Sequence, residues 1–208
     1  MNEEGLYRQQ EQCLKIFQES HLLKILSSAD LNKKTIRDEI LDYIQIFANS
    51  FQKIVMLRSV FTHSRILSSM AQMHLSEELG HDIILMKERS NKSALFDPIL
   101  DSAMAWFCWQ MFKLNDLEKT VLMHWVLESS AYCFFSHAKT IFDRYGEMEY
   151  FKIHSEADEA HKDIAPTILN NLRSEEYSNL EMVLFQGWSV MTTACDRIAE
   201  LVGYSSAH

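Results

Sequence analysis

The sequence predicts an all-α fold, and three observations carry that prediction. Only 5 Gly and 2 Pro punctuate 208 residues, so few turn signals interrupt the chain. Strong helix formers (Leu, Met, Glu, Lys, Ala) dominate the composition. Apolar residues recur at helical spacing almost throughout, and the few polar or Gly/Pro breaks divide the chain into seven helices.

The first helix is expected near 6–26, ending before Ser27-Ser28-Ala29-Asp30. A long second helix near 32–61 carries an apolar stripe of Ile36, Ile40, Tyr43, Phe47, Ile54 and Leu57, and Thr62-His63-Ser64 closes it. The third, near 64–89, holds a polar cluster from His74 to Asp82. The fourth, near 95–112, holds Trp106, Phe107 and Trp109. The fifth, near 115–145, opens at Asn115-Asp116 as N-cap and ends at Gly146 as C-cap. The sixth, near 147–172, contains Pro166, which removes a backbone donor and predicts a kink. The seventh spans about 174–203. No repeat, linker or low-complexity tract divides the chain, so residues 1–208 are expected to form a single domain.

A hydrophobic content of 47% predicts a packed core rather than disorder, and a net charge of −9 argues against a nucleic-acid partner, which needs a basic face. The acidic N-terminus has no apolar leader, and no stretch reaches about 18 uncharged apolar residues; a cytoplasmic protein without a membrane partner is the expectation. Cys13, Cys108, Cys133 and Cys195 are scattered without a CxxC pair, which suggests neither a disulfide framework nor a zinc-thiolate site.

The chemistry lies on three helices. His154, Asp158 and His161 on the sixth are spaced i, i+4, i+7 and fall within a sector of roughly 60°. Two imidazoles and a carboxylate converging from one helix suit a divalent metal of the iron, manganese or zinc type; the competing reading is a solvated polar face. On the fifth helix, Glu128 interrupts the apolar run from Val121 to Phe135, where a carboxylate must be paired, protonated or metal-bound. A hydrogen bond to His124 one turn earlier is the plainer alternative. On the third helix, His74, Glu78 and His81 repeat the i, i+4, i+7 pattern with Glu77 alongside, a motif that taken singly is no more than a wet helix face. Three such helices together match the way carboxylate-histidine dimetal sites are built inside bundles.

In the order of these motifs the sequence resembles the haem-oxygenase-like superfamily, specifically the branch of haem-oxygenase-like diiron oxidases and oxygenases that includes the Chlamydia protein associating with death domains. His154-Ser-Glu-Ala-Asp158-Glu-Ala-His161 matches the family's His-x3-Asp-x2-His without departure. The resemblance implies a seven-helix TenA/PqqC-like bundle, a homodimer, and an iron-dependent oxidoreductase. Its iron pair, with manganese as the alternative metal, activates dioxygen to oxidise a small organic substrate of the amine, amino acid or fatty acid type. Carried over, the metal ligands are Glu78, His81, Glu128, His154, Asp158 and His161. Glu128 stands where the family has a lone, often bridging, glutamate. Family members place the third-helix Glu and His three or seven residues apart. Glu78 with His81 fits the former, and His74 and Glu77 are substitutes or outer-shell groups.

The same superfamily contains metal-free enzymes of the TenA and PqqC type, and fold does not dictate chemistry. TenA-like catalysis needs a nucleophilic cysteine, for which Cys133 is the candidate, though Phe134 and Phe135 beside it predict burial. A non-catalytic interaction protein is the other alternative. Tyr132 and Lys139 follow Glu128 on its helix without an assigned role, and Trp106, Trp109, Trp125, Tyr132 and Phe134 are read as core in preference to pocket lining.

Overall fold

A computed structural model describes residues 2–27, 34–154, 165–170 and 172–203. Among the described residues the regular structure is helical: α1 (Glu3–Gln18), α2 (His21–Leu26), α3 (Lys34–Phe61), α4 (Arg65–Glu78), α5 (His81–Glu88), α6 (Pro98–Lys113), α7 (Asp116–Val121), a π-helical segment (Leu122–Glu128), α8 (Ser129–Phe142), α9 (149–154) and α10 (Ser174–Leu201). None of these helices is long and apolar enough to cross a membrane.

The expected first helix is two helices, because the chain turns extended at Ser20 and restarts at His21. The expected third is likewise broken, into α4 and α5, at Gly80 with φ +94°. The fifth runs as foreseen from the Asn115 capping box, where Asn115 accepts from the Glu118 amide and the Glu118 side chain accepts from the Asn115 amide. It ends in a 3-10 turn (Asp143–Tyr145) before Gly146. The sixth does not remain helical to residue 172. It is described as helix over 149–154, and Pro166 sits in a 3-10 turn (Ala165–Ile168). With no amide proton, proline suits such a short turn better than a helix interior.

The core is one cluster of buried apolar side chains, with Leu6, Ile40, Ile54, Phe107, Val126, Phe142 and Ile198 fully buried. Helix α3 packs on α4, α5 and α6, while α10 packs on α1, α2, α6 and the π segment. Two devices seat α10 against the π segment. A Cβ on Gly187 would lie 2.6 Å from Leu122 Cδ1 and 3.0 Å from Val126 Cγ2, so any larger residue would have to push these side chains aside. Buried Gln10 of α1 donates to the Trp125 carbonyl at 2.9 Å and accepts from Trp188 Nε1 at 2.8 Å, which ties α1, the π segment and α10 together. A carbonyl in an i→i+5 coil thereby acquires a side-chain partner in a place water does not reach.

Candidate metal centre

The break between α4 and α5 is what creates the first half of the site. Glu78 is the last residue of α4 and His81 the first of α5, with Leu79-Gly80 between them. Gln52 of α3 clamps this break from both sides, donating to the Glu78 carbonyl at 2.8 Å and accepting from the Gly80 amide at 2.9 Å. The side chains of Glu78 and His81 then meet, with Glu78 Oε2 2.9 Å from His81 Nδ1. Their proximity is a property of the turn, not of the i, i+3 helical spacing.

His154 joins them from α9. Its ring lies flat on Phe135, with centroids 4.7 Å apart and planes 5° apart, and edge-on to Tyr150 at 4.5 Å and His81 at 5.0 Å. A ring held on three sides loses little rotational freedom when it binds a ligand. Donor atoms of Glu78, His81 and His154 all lie within 4.8 Å of one another.

A second group shares Glu78. Donor atoms of His74, Glu78 and Glu128 also fall within 4.8 Å of one another, and all three residues are buried. His74 Nε2 is 2.8 Å from Glu128 Oε1 and 4.0 Å from Glu78 Oε1. The two oxygens of Glu78 thus address different groups, Oε2 towards His81 and Oε1 towards His74. Among the described residues the carboxylate common to both groups is Glu78, where the resemblance implied Glu128.

Glu128 itself is the final residue of the π segment and 1% exposed. Its setting is the apolar run the sequence foresaw, but the histidine that its carboxylate approaches at 2.8 Å is His74, brought in from another helix. The His124 ring lies 5.2 Å from that of His74. The hydroxyl of Ser129, which follows Glu128, donates to the His124 carbonyl five residues back at 3.1 Å, supporting the wide coil.

Behind His74 stands Arg58 of α3, 1% exposed, with Nη1 3.0 Å from His74 Nδ1. Burial lowers its pKa to about 10, and the Glu128 charge opposes that shift. Arg58 is absent from the sequence-based site, although a cation continuing the buried stripe of the second helix, one turn beyond Ile54, is as anomalous as Glu128. Gln52, Phe135 and Tyr150 carried no comparable signal. Glu77 is exposed, and Asp158 and His161 lie outside the described residues.

Beside the site is a cavity of about 100 Å³ lined by Phe17, Leu22, Ile44, Phe47, Ala48, Phe51, Ile54, Met104, Leu127, Ala131, Phe134, Phe135, Met191 and Ile198, with Glu128, Ser130, Tyr150, His154 and Cys195. Of the aromatic residues read from the sequence as core, Trp125 packs on Tyr7 and Trp106 on Phe107, Phe134 is buried and also lines the cavity, and Trp109 departs from that reading by being exposed.

Carboxylate and imidazole donors in two adjacent groups match the ligand chemistry of iron or manganese, so the residues present fit a dimetal centre. The fold is the haem-oxygenase-like, TenA-like helical bundle. A TenA homolog from Pseudomonas syringae pv. tomato superposes with a TM-score of 0.78 at 12% identity, over 95% of this chain and 92% of that one. A domain of unknown function with a heme oxygenase-like fold, from Shewanella denitrificans, superposes with a TM-score of 0.72 at 13% identity, over 100% and 98% of the two chains. By sequence the chain belongs to the family of the uncharacterized protein RP592 of Rickettsia prowazekii (strain Madrid E), to which it is 30% identical over 191 residues, 92% of this chain and 91% of the relative. No family model matches the chain.

Proposed function

We propose that the protein is a non-haem dimetal oxidase or oxygenase, using two irons and dioxygen to oxidise a small organic substrate. The observation that carries this reading is the pair of donor groups sharing Glu78, two of whose residues, Glu128 and His154, also form part of the wall of an apolar cavity. Glu78, His81 and His154 would hold one ion and Glu78 with Glu128 would hold the other, with Asp158 and His161 completing the set. Bound ferrous iron would supply the electrons that reduce dioxygen.

The protein's own contributions are positional. Gln52 fixes the turn that joins Glu78 to His81, and Phe135 fixes the plane of His154. The cavity wall has no Lys or Arg among the described residues, which favours an apolar or neutral body on the substrate, and the burial of Glu78 and Glu128 keeps bulk water from their carboxylates. The protein acts as a homodimer in this reading, for which the exposed Phe96 and Trp109 are suitable contact residues.

The test is anaerobic addition of Fe(II) to the metal-free protein, followed by oxygen. About two irons per chain and oxygen uptake abolished in Glu78→Ala are expected. Fewer than one iron per chain in the wild type, under conditions where the fold is intact by circular dichroism, would overturn the proposal. Light scattering checks the dimer.

A further inference from the structure

Helix α9, which carries His154, opens without a cap of its own. The Met148 carbonyl accepts from the Lys152 amide at 3.1 Å, so Met148 is the residue that begins the helix, and a thioether is at best a weak acceptor for the free amides of a first turn. Glu88 takes those amides from another helix. Its Oε1 accepts from the Glu149 amide at 2.6 Å and its Oε2 from the Tyr150 amide at 3.4 Å. A carboxylate at this end is favoured by the helix dipole as well.

Glu88 is the last residue of α5 and His81 is the first. Seven residues are nearly two turns, so the two side chains leave α5 within roughly 20° of one another, about 10 Å apart along its axis. Their partners on α9 have a matching arrangement. Tyr150 and His154 are one turn apart on one face of that helix. The Tyr150 amide meets Glu88, while the His154 ring meets the His81 ring with centroids 5.0 Å apart. The two helices therefore run in opposite directions, joined at one end by the carboxylate and at the other by the two imidazoles. Between these ends the Tyr150 ring stands edge-on to His154 at 4.5 Å.

We propose that Glu88 is a positioning residue for the metal centre: by capping α9 from the far end of α5, it holds His154 opposite His81, which stands on the same face of the same helix. Glu88 belongs to neither donor group, so its effect on a bound ion passes through the placing of His154. One short helix thus supplies a donor residue at its start and, at its end, the group that registers the helix of another donor. This inference rests on the dimetal reading for its purpose, but the hold of Glu88 on His154 stands or falls without any metal.

The experiment uses the full chain, first metal-free and then titrated with Zn(II) as a diamagnetic probe. In the metal-free protein the His154 ring protons are shielded by the face of Phe135, 4.7 Å away, and so report its placing by NMR. In Glu88→Ala they are expected to move towards unstacked positions, and the Glu149 and Tyr150 amides should exchange faster with solvent. Zn(II) binding should weaken about tenfold or more, as for other groups that orient ligands. Glu88→Gln keeps an acceptor oxygen and should recover most of both effects. Asp97→Asn, which weakens the cap of α6, should lower stability without moving the His154 signals or the Zn(II) affinity, and this separates positioning from stability. Unchanged His154 signals in Glu88→Ala overturn the proposal, as does a loss of Zn(II) affinity that Asp97→Asn reproduces or that Glu88→Gln fails to recover. Should the wild type bind no metal, the dimetal reading fails and the His154 signals of the metal-free protein alone decide the role of Glu88.

Discussion

Glu78 and His81 face one another across a break in the chain, 2.9 Å apart, and not along one turn of a helix. The break depends on Gly80 at φ +94°, where a Cβ would meet nothing within 4 Å. Gly80→Ala is therefore a test of backbone strain free of steric clash. It should cost about 1–2 kcal/mol in denaturant unfolding, the usual penalty of the left-handed region for a residue with a Cβ. If Glu78 and His81 bind metal together, Zn(II) affinity should drop as well; an unchanged affinity would separate the turn from the site.

Glu128 is buried within reach of the Arg58 charge. Glu128→Ala removes a charge that offsets the burial of Arg58, so the metal-free protein should lose about 1–3 kcal/mol by urea denaturation, the usual cost of leaving a buried polar group less compensated. The double variant Glu128→Ala/Arg58→Met should recover part of that loss. Additive losses would mean the two groups are not coupled.

Cys133 bears on the competing, TenA-like reading. Burial pushes its thiol up to about 11, against a small lowering from Gln18, so thiolate is scarce at neutral pH. His137 cannot serve as its base through Nδ1, which donates to the Cys133 carbonyl at 2.7 Å and reaches the sulfur only at 4.0 Å. Iodoacetamide should leave Cys133 unmodified in the native protein at pH 7.5, and Cys133→Ser should retain activity. Rapid alkylation with loss of activity would favour the cysteine mechanism.

Ala131 lines the cavity beside Glu128 and Ala48. Ala131→Leu should occupy volume a substrate would use, lowering substrate-dependent oxygen uptake by about tenfold or more through a misplaced reacting group. Metal content should be unchanged. Equal loss of both would indicate that the cavity belongs to the fold and not to the substrate.

Asp97 caps α6 by accepting from the Ile99 and Leu100 amides at 3.0 Å and pairs with Arg197 of α10 at 2.9 Å. Burial alone would raise its carboxyl, but Arg197 and the two amides outweigh it and hold the group below the ordinary carboxylate range. A depressed carboxyl contributes stability above its unfolded value of about 3.9, and that contribution disappears as pH falls through the lower folded value. Asp97→Asn should thus be less stable than wild type by about 1–2 kcal/mol at pH 7, from losing a charge-assisted bond. The gap should shrink below pH about 3.5, by urea midpoints at each pH.

The helical class and most of the element order were legible because periodicity and caps are local: Asn115 and Gly146 stand at the expected ends of one helix region. The breaks at Ser20 and Gly80 were not, since a lone serine or glycine inside a periodic stretch is compatible with either outcome. The same limit applies at the site. Glu128 stood out because its neighbours in sequence are apolar, whereas the shared role of Glu78 depends on α4, α5 and the π segment meeting in space. Arg58 was visible as a charge on a buried stripe, but its partner, His74, lies 16 residues away on another helix. The expected ligands Asp158 and His161 fall outside the described residues.

The π segment has a consequence for how the protein can change. Its extra residue puts the two ends of the α7–α8 rod out of phase by about 100° relative to an unbroken α-helix. Deleting one residue between Leu122 and Glu128 would restore the tighter, more regular coil, and with it swing Glu128 away from His74. Local regularity and the assembled donor groups are in opposition along this stretch. Drift towards a smoother helix would therefore dismantle the centre while leaving a folded bundle behind.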